Sequence, residues 1–284
     1  MMAMQQRSND TLKREVTHWW NENPFTFFVK EAGDDWVFFR NVDRKIFKWC
    51  PWAHDGYPLL HKIIPYRELR GKRVLDVGCG TGWSTENLAR MGAEVSAIDL
   101  TEKAVELTKR RFALYGMAGD IRVGDAEHIP YPDSAFDYVL VWGVIMHTPD
   151  TEKAVREIHR VLKPGGRAAA MMYNKNSLHW RWFIVFGKGI LRGKLSHYSL
   201  QELTNRYTDG ADVGGNMLTK FYTPAEFKRL WSIFPTVTVA TYDNPDVIDV
   251  FPHRFFPLGR LLPRRIKQWL ANRAGLIAWI EAYK

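Results

Sequence analysis

Val74-Leu75-Asp76-Val77-Gly78-Cys79-Gly80-Thr81-Gly82 runs from a short apolar stretch into a loop with glycine at every second position. Arg73 to Val77 reads as a strand, and Thr85 to Met91 as a helix that Gly92 stops. In a doubly wound sheet such a loop lies at the carboxyl end of its strand, where ligands bind. Gly78, Gly80 and Gly82 let backbone approach a ligand closely and offer it N–H groups. The glycines alone suit several nucleotide ligands. The dinucleotide fingerprint G-x-G-x-x-G requires a further glycine, but Trp83 stands three past Gly80 and Thr85 three past Gly82. The phosphate loop G-x-x-x-x-G-K-[ST] is absent too.

Downstream, strand and helix alternate. Glu94 to Asp99 is a second strand; Thr101 caps a helix to about Tyr115, ended by Gly116. Ile121 to Val123 and Phe136 to Trp142 are the third and fourth strands. Asp150 or Thr151 caps a helix whose Ala154, Ile158, Val161 and Leu162 share one face. After the turn Lys163-Pro164-Gly165-Gly166, Arg167 to Tyr173 is a fifth strand. A helix from Pro224 and a strand Thr236 to Tyr242 follow. Crossovers of this length imply parallel pairing in an α/β sheet. Two carboxylate stations accompany the glycine loop. Asp99 ends the second strand about 20 residues past the loop, where it can accept both hydroxyls of a ribose. Gly124-Asp125-Ala126-Glu127 follows the third strand, where Asp125 can accept from an adenine amine. The set fits an adenosine ligand with no pyrophosphate.

Composition limits the alternatives. The 284 residues include 12 Trp and 16 Phe, a large aromatic payload for a core or a cavity wall. Two cysteines, Cys50 and Cys79, make neither a disulfide framework nor a zinc site, so no metal is expected and a reducing cytoplasm is. Met1 to Asp10 lacks the apolar core of a signal peptide, and no apolar run is long enough to span a membrane. The net charge is +9. Asn174 to Gln201 holds five basic residues and no acid, and Pro252 to Ile280 holds six and no acid, so the remainder is close to neutral. Three readings stay open for these basic aromatic segments: a solvated face over core side chains, peripheral contact with an anionic membrane, and reception of an anionic or amphiphilic substrate.

Val74 to Gly82, Asp99, Asp125-Ala126-Glu127, Phe136-Asp137 and Leu162-Lys163-Pro164-Gly165-Gly166 together resemble the ordered motifs of the class I S-adenosylmethionine-dependent methyltransferases. The likeness is to the small-molecule branch typified by ubiquinone/menaquinone methyltransferases, and it covers about residues 70 to 173. It implies a Rossmann-like, doubly wound, seven-stranded, mostly parallel sheet with helices on both faces, an N-terminal helical lid and a cap inserted after strand five. The seventh strand is not visible in the sequence. The expected division is 1–70 lid, 71–173 cofactor core, 174–222 cap, 223–243 remaining core, and 244–284 a basic C-terminal appendage whose Arg264–Ile280 segment is helical.

The resemblance also implies S-adenosyl-L-methionine as cofactor, S-adenosyl-L-homocysteine as product, and residue roles. Asp76 and the backbone of Gly78, Cys79, Gly80, Thr81 and Gly82 would hold the methionine part. Asp99 would bind ribose, Leu100 would pack on adenine, Asp125 and Ala126 would meet the adenine edge, and Glu127 is a further cofactor-binding candidate. Trp142 and Gly143 would contact the amino-acid part and face the acceptor. Relatives often carry paired histidines where this chain has Met146-His147. His147 reads either as a general base or as a structural histidine bound to backbone. Trp20 on the lid, and Tyr207, Asp209 and Tyr222 in or beside the cap, are candidate acceptor contacts. Val141-Trp142-Gly143-Val144 differs from the Asn- or Asp-Pro-Pro-aromatic motif of nucleic-acid amino-methyltransferases, so a small aromatic, lipidic or amphiphilic acceptor is expected, and DNA is not. The acceptor atom, oxygen, nitrogen or carbon, is open. So are an RNA acceptor and a non-catalytic adenosyl-binding role.

Overall fold

The structure is a computed structural model, and it describes residues 8–24, 29, 33–244 and 262–284. Strands β1 (Arg73–Val77), β2 (Glu94–Asp99), β3 (Asp120–Val123), β4 (Phe136–Trp142), β5 (Leu162–Asn174), β6 (Phe221–Tyr222), β7 (Thr236–Tyr242) and β8 (Ile277–Tyr283) form one sheet. Their order is β3-β2-β1-β4-β5-β8-β7, with the two-residue β6 beside β5. β1 to β5 pair in parallel; β8 runs antiparallel to both β5 and β7. Val74, Leu75, Val139 and Leu140 are fully buried, because helices cover both faces and no polar alternation is tolerated. The Rossmann-like, mostly parallel architecture is as the motifs imply.

The site's position follows from the order. From β1 the chain crosses outward to β2 and β3, whereas β4 leads the other way to β5. Val77 pairs with Ile98 on one side and Val141 on the other, so the ends of β1, β2 and β4 are level. A crevice opens between the diverging loops. The crossover helices are α3 (Trp83–Arg90), α4 (Glu102–Leu114) and α5 (Thr151–Val161). Thr101 caps α4 by accepting from Ala104 N, and Asp150 caps α5 by accepting from Lys153 N.

The N-terminal segment divides in two. Helix α1 (Asn9–Glu22) lies over the crevice, but α2 (Asp35–Trp49) does not belong to a lid. Its Phe38, Phe39, Val42 and Ile46 enter the main core. The fully buried Arg111 of α4 donates to Asp43 of α2 at 2.7 Å and to Glu86 of α3 at 3.2 Å. A buried guanidinium must be paired, and that requirement docks α2 on the sheet helices.

The C-terminal expectation needs correction. Helix α8 (Arg264–Ala274) stops short of Ile280, and Ile277–Tyr283 is β8, inside the sheet rather than appended to it. A strand between two others is covered on both faces, so Ile277-Ala278-Trp279-Ile280-Glu281-Ala282-Tyr283 needs no alternation and imitates an apolar helix end. Its one charge, Glu281, is met by Arg167 of β5 and by Trp279 Nε1. Gly275 makes the transition, since a Cβ there would stand 2.3 Å from the carbonyl oxygens of Ala271 and Tyr242. Arg254 and Arg260 of the basic segment lie outside the described residues. The cap boundary shifts as well, because Phe221 and Tyr222 pair with Tyr173 and Asn174 in the sheet. Between them, a wide π-type cap helix (His179–Ile190) and α6 (Leu200–Tyr207) form the cap; α7 (Pro224–Leu230) returns to the core.

Candidate active site

The crevice is walled by the glycine loop, by Asp99 and Leu100 after β2, by Gly124, Asp125 and Ala126 after β3, and by Trp142, Gly143 and Val144 after β4. His147, Tyr173 and Asp209 close one end, and Lys13, Val16, Trp20 and Pro24 cover it. About 1140 Å³ of space lies between these walls, part of it open to solvent.

Gly78 has φ +80°, and a Cβ there would stand 2.1 Å from Val144, so both the turn and the close packing of the β4 loop require glycine. Gly80 has φ +55°, and a Cβ there would meet nothing within 4 Å, because it points into open crevice. Gly80 N donates to Asp99 Oδ2 at 3.0 Å, while Asp99 Oδ1 accepts from Thr101 N at 3.0 Å and Thr101 Oγ1 at 2.9 Å. With a further backbone contribution from Leu100, these bonds hold the carboxylate at the crevice wall. Burial pushes the Asp99 carboxyl above its ordinary range, with the Thr101 and Gly80 bonds opposing. The hydroxyls of Thr81 and Thr148, both on the crevice wall, are buried without a hydrogen-bond partner among the described residues. Open space over Gly80, the Asp99 carboxylate on the wall and two orphaned hydroxyls fit an adenosyl amino acid.

Not every expected residue reaches the wall. Asp76 lies beneath the loop, fully buried, accepting from Ser84 Oγ at 2.7 Å and Thr85 Oγ1 at 2.6 Å. It anchors the start of α3 instead of contacting the crevice. Gly82 caps α3 and is also off the wall. Glu127 accepts from Asp150 N at 2.8 Å and pairs with Lys13, behind Asp125. Tyr207 stays on the cap, its hydroxyl bound to Lys194, and Tyr222 donates to Thr151 Oγ1 at 2.9 Å. Both tyrosines are drawn away by polar partners, and neither lines the crevice.

Other residues were not legible beforehand. Lys13 of α1 donates to Asp125 Oδ2 at 2.7 Å and also to Glu127. Burial would lower its pKa, but bonds to the two carboxylates outweigh that and raise it. The signal was periodicity: Lys13, Val16 and Trp20 fall on one face of α1. Tyr173, from β5, donates to Asp209 at 2.8 and 3.0 Å.

His147 ends a short 3₁₀ turn, Ile145–His147. Its Nδ1 is 2.7 Å from Leu218 O, which can only accept, so Nδ1 carries hydrogen. Nε2 then faces Asp209 Oδ2 at 3.4 Å, beside the Trp20 ring. Burial lowers the His147 pKa, against Asp209 and the Leu218 carbonyl, which raise it. Burial raises the Asp209 carboxyl, against His147 and Tyr173, which lower it.

The protein is thus a doubly wound α/β protein whose crevice fits an adenosyl ligand. The family described as "Methyltransferase domain" matches residues 75–170. A ubiquinone biosynthesis O-methyltransferase of Thiobacillus denitrificans is 34% identical over 206 residues, covering 67% of this chain and 82% of that protein. One from Azoarcus sp. (strain BH72) is 34% identical over 153 residues, 51% of this chain. The match spans 65% of that Azoarcus protein, just under two thirds of its length. The solved structure of a SAM-dependent methyltransferase from Methanosarcina mazei shares the fold, with a TM-score of 0.53 at 20% identity over 81% of this chain and 99% of that one. The chain belongs to the class I S-adenosylmethionine-dependent methyltransferases, and its cofactor is S-adenosylmethionine.

Proposed function

We propose that this chain transfers a methyl group from S-adenosylmethionine to an oxygen of a small aromatic, lipidic or amphiphilic molecule bound beneath the cap. The observation that carries the reading is the orientation of His147, whose Nδ1–H is committed to Leu218 O and whose Nε2 is turned to the crevice end formed by Tyr173 and Asp209. The Thiobacillus and Azoarcus relatives are named for O-methylation in ubiquinone biosynthesis, which supports an oxygen on an aromatic ring.

When bound, the cofactor supplies an electrophilic methyl on a sulfonium sulfur. Gly80, Asp99 and Asp125 hold its adenosyl part; Cys79, Thr81, Trp142 and Gly143 line the approach. Trp20 and Trp142 flank the acceptor ring and exclude water. Such alignment can supply roughly 7–11 kcal/mol of the barrier. His147 Nε2 takes the hydroxyl proton, and the nearby Asp209 carboxylate stabilises the resulting imidazolium. Cys50 and Cys79 are free and buried, which suits a reaction run in a reducing cytoplasm.

The test is S-adenosylhomocysteine release with a catechol or a prenylated phenol. His147→Ala should lower kcat by about 10²–10⁴-fold while cofactor Kd is unchanged. Turnover with tRNA but not with phenols would move the activity to RNA. Cofactor binding without turnover on any acceptor would leave a binding protein.

A further inference from the structure

We infer that the cap presents a membrane-docking face, on which Trp182, Phe186, Ile190, Leu191 and Leu195 meet a bilayer surface carrying anionic phospholipids. The cap helix has two sides. Ile184 and Gly187 are buried inward, Trp180 packs toward Phe221, and Phe183 stands edge-on to Tyr207. On the outer side Trp182, Phe186 and Ile190 recur every four residues and are 39%, 39% and 61% exposed. Leu191 and Leu195, next in the chain, are 53% and 42% exposed. Five large apolar side chains gathered within 182–195 are costly against water, and such patches mark contact surfaces.

Charge identifies the occupant. Asn174 to Gln201 holds five Lys and Arg and no Asp or Glu. Arg181 and Arg192 are exposed beside the apolar row, with Arg181 steadied by Asn176 at 2.5 Å. Cations around an apolar stripe on a helix lying flat is the pattern that inserts at anionic lipid headgroups. Single-stranded RNA is held by a basic groove together with aromatic stacking, whereas Ile190, Leu191 and Leu195 are saturated and suit acyl chains. The cap also delivers Asp209 to the crevice, so docking by its outer side would bring the active site to the membrane interface. No helix among the described residues is long and apolar enough to cross a membrane, so the contact is peripheral.

The full chain is pelleted with vesicles of pure phosphatidylcholine and with vesicles containing about one-third phosphatidylglycerol. The wild type should pellet with the anionic vesicles and be released at about 0.5 M salt. Trp182→Ser/Ile190→Ser and Arg181→Glu/Arg192→Glu should each lower the bound fraction about tenfold. Neither pair touches the crevice wall, so Tm and cofactor Kd should be unchanged. The inference is overturned by no binding to anionic vesicles, by equal binding to neutral ones, or by serine variants that bind like the wild type. Displacement of the vesicles by tRNA, with the serine pair retaining tRNA binding, would overturn it in favour of RNA. None of these outcomes depends on which acceptor is methylated.

Discussion

Lys13 Nζ stands 2.7 Å from Asp125 Oδ2, joining the first helix to the loop after β3. The two are 112 positions apart, and Asp125 is expected to meet the adenine edge. The same ammonium reaches Glu127, so one cation fastens the lid at two carboxylates. Lys13→Ala should therefore loosen α1. Both partners are about a quarter exposed, so solvent screening holds the loss near 1 kcal/mol. Calorimetry should show cofactor Kd rising about three- to tenfold, on the scale of about 1.4 kcal/mol per factor of ten. An unaltered Kd would mean that α1 does not govern cofactor retention.

Asp99→Ala removes the carboxylate that is expected to bind the ribose. Affinity for S-adenosylmethionine should fall at least about tenfold, because hydrogen bonds to charged groups contribute about 1.5–3 kcal/mol. Asp99 also receives Gly80 N and Thr101, so Asp99→Asn, which keeps an amide oxygen, is the control for loop collapse. Full affinity in a folded Asp99→Ala protein would remove the ribose from this position.

Burial pushes the Asp76 carboxyl up to about 6, against hydrogen bonds from Thr85 and Ser84. The unfolded chain releases this proton near pH 4, so the folded state holds it more tightly. The Asp76 contribution to stability is complete below about pH 4 and is lost as pH rises through about 6, a change of about 3 kcal/mol. Thermal melts of cofactor-free protein between about pH 4 and 7 should give a flatter Tm profile for Asp76→Asn than for wild type. Parallel profiles would show that the native carboxyl titrates normally.

Burial lowers the His147 pKa and the Asp209 carboxylate raises it. Asp209→Asn removes the raising influence. The acid limb of kcat/KM against pH should move to lower pH, and kcat should fall because the imidazolium loses its counter-charge. A limb that stays in place would separate Asp209 from the base. Tyr173→Phe, which keeps the carboxylate, should disturb the limb less.

Truncation after Ala274 removes β8, which lies between β5 and β7. The protein should fail to fold, seen as lost near-UV dichroism and a missing melting transition. A pendant C-terminal helix would be dispensable, and a folded truncated chain would contradict the central placement.

The sequence by itself determined the core from β1 to β4 and the adenosyl class of ligand. β1, β2 and β4 have the bounds their apolar runs suggest, Thr101 and Asp150 cap the helices they precede, and Gly78, Gly80 and Asp99 stand on one crevice. These features are set by neighbours in the chain: backbone conformation at glycine, side-chain caps, and the strand-to-loop order of a doubly wound sheet. Only the tertiary structure decided that Lys13 holds Asp125, that Asp209 meets His147 and Tyr173, that Asp76 supports the loop from below, and that Ile277–Tyr283 is a strand inside the sheet. Each depends on partners distant in sequence. A buried charge pairs with whichever opposite charge the packing brings near, and a strand covered on both faces carries no period to separate it from a helix.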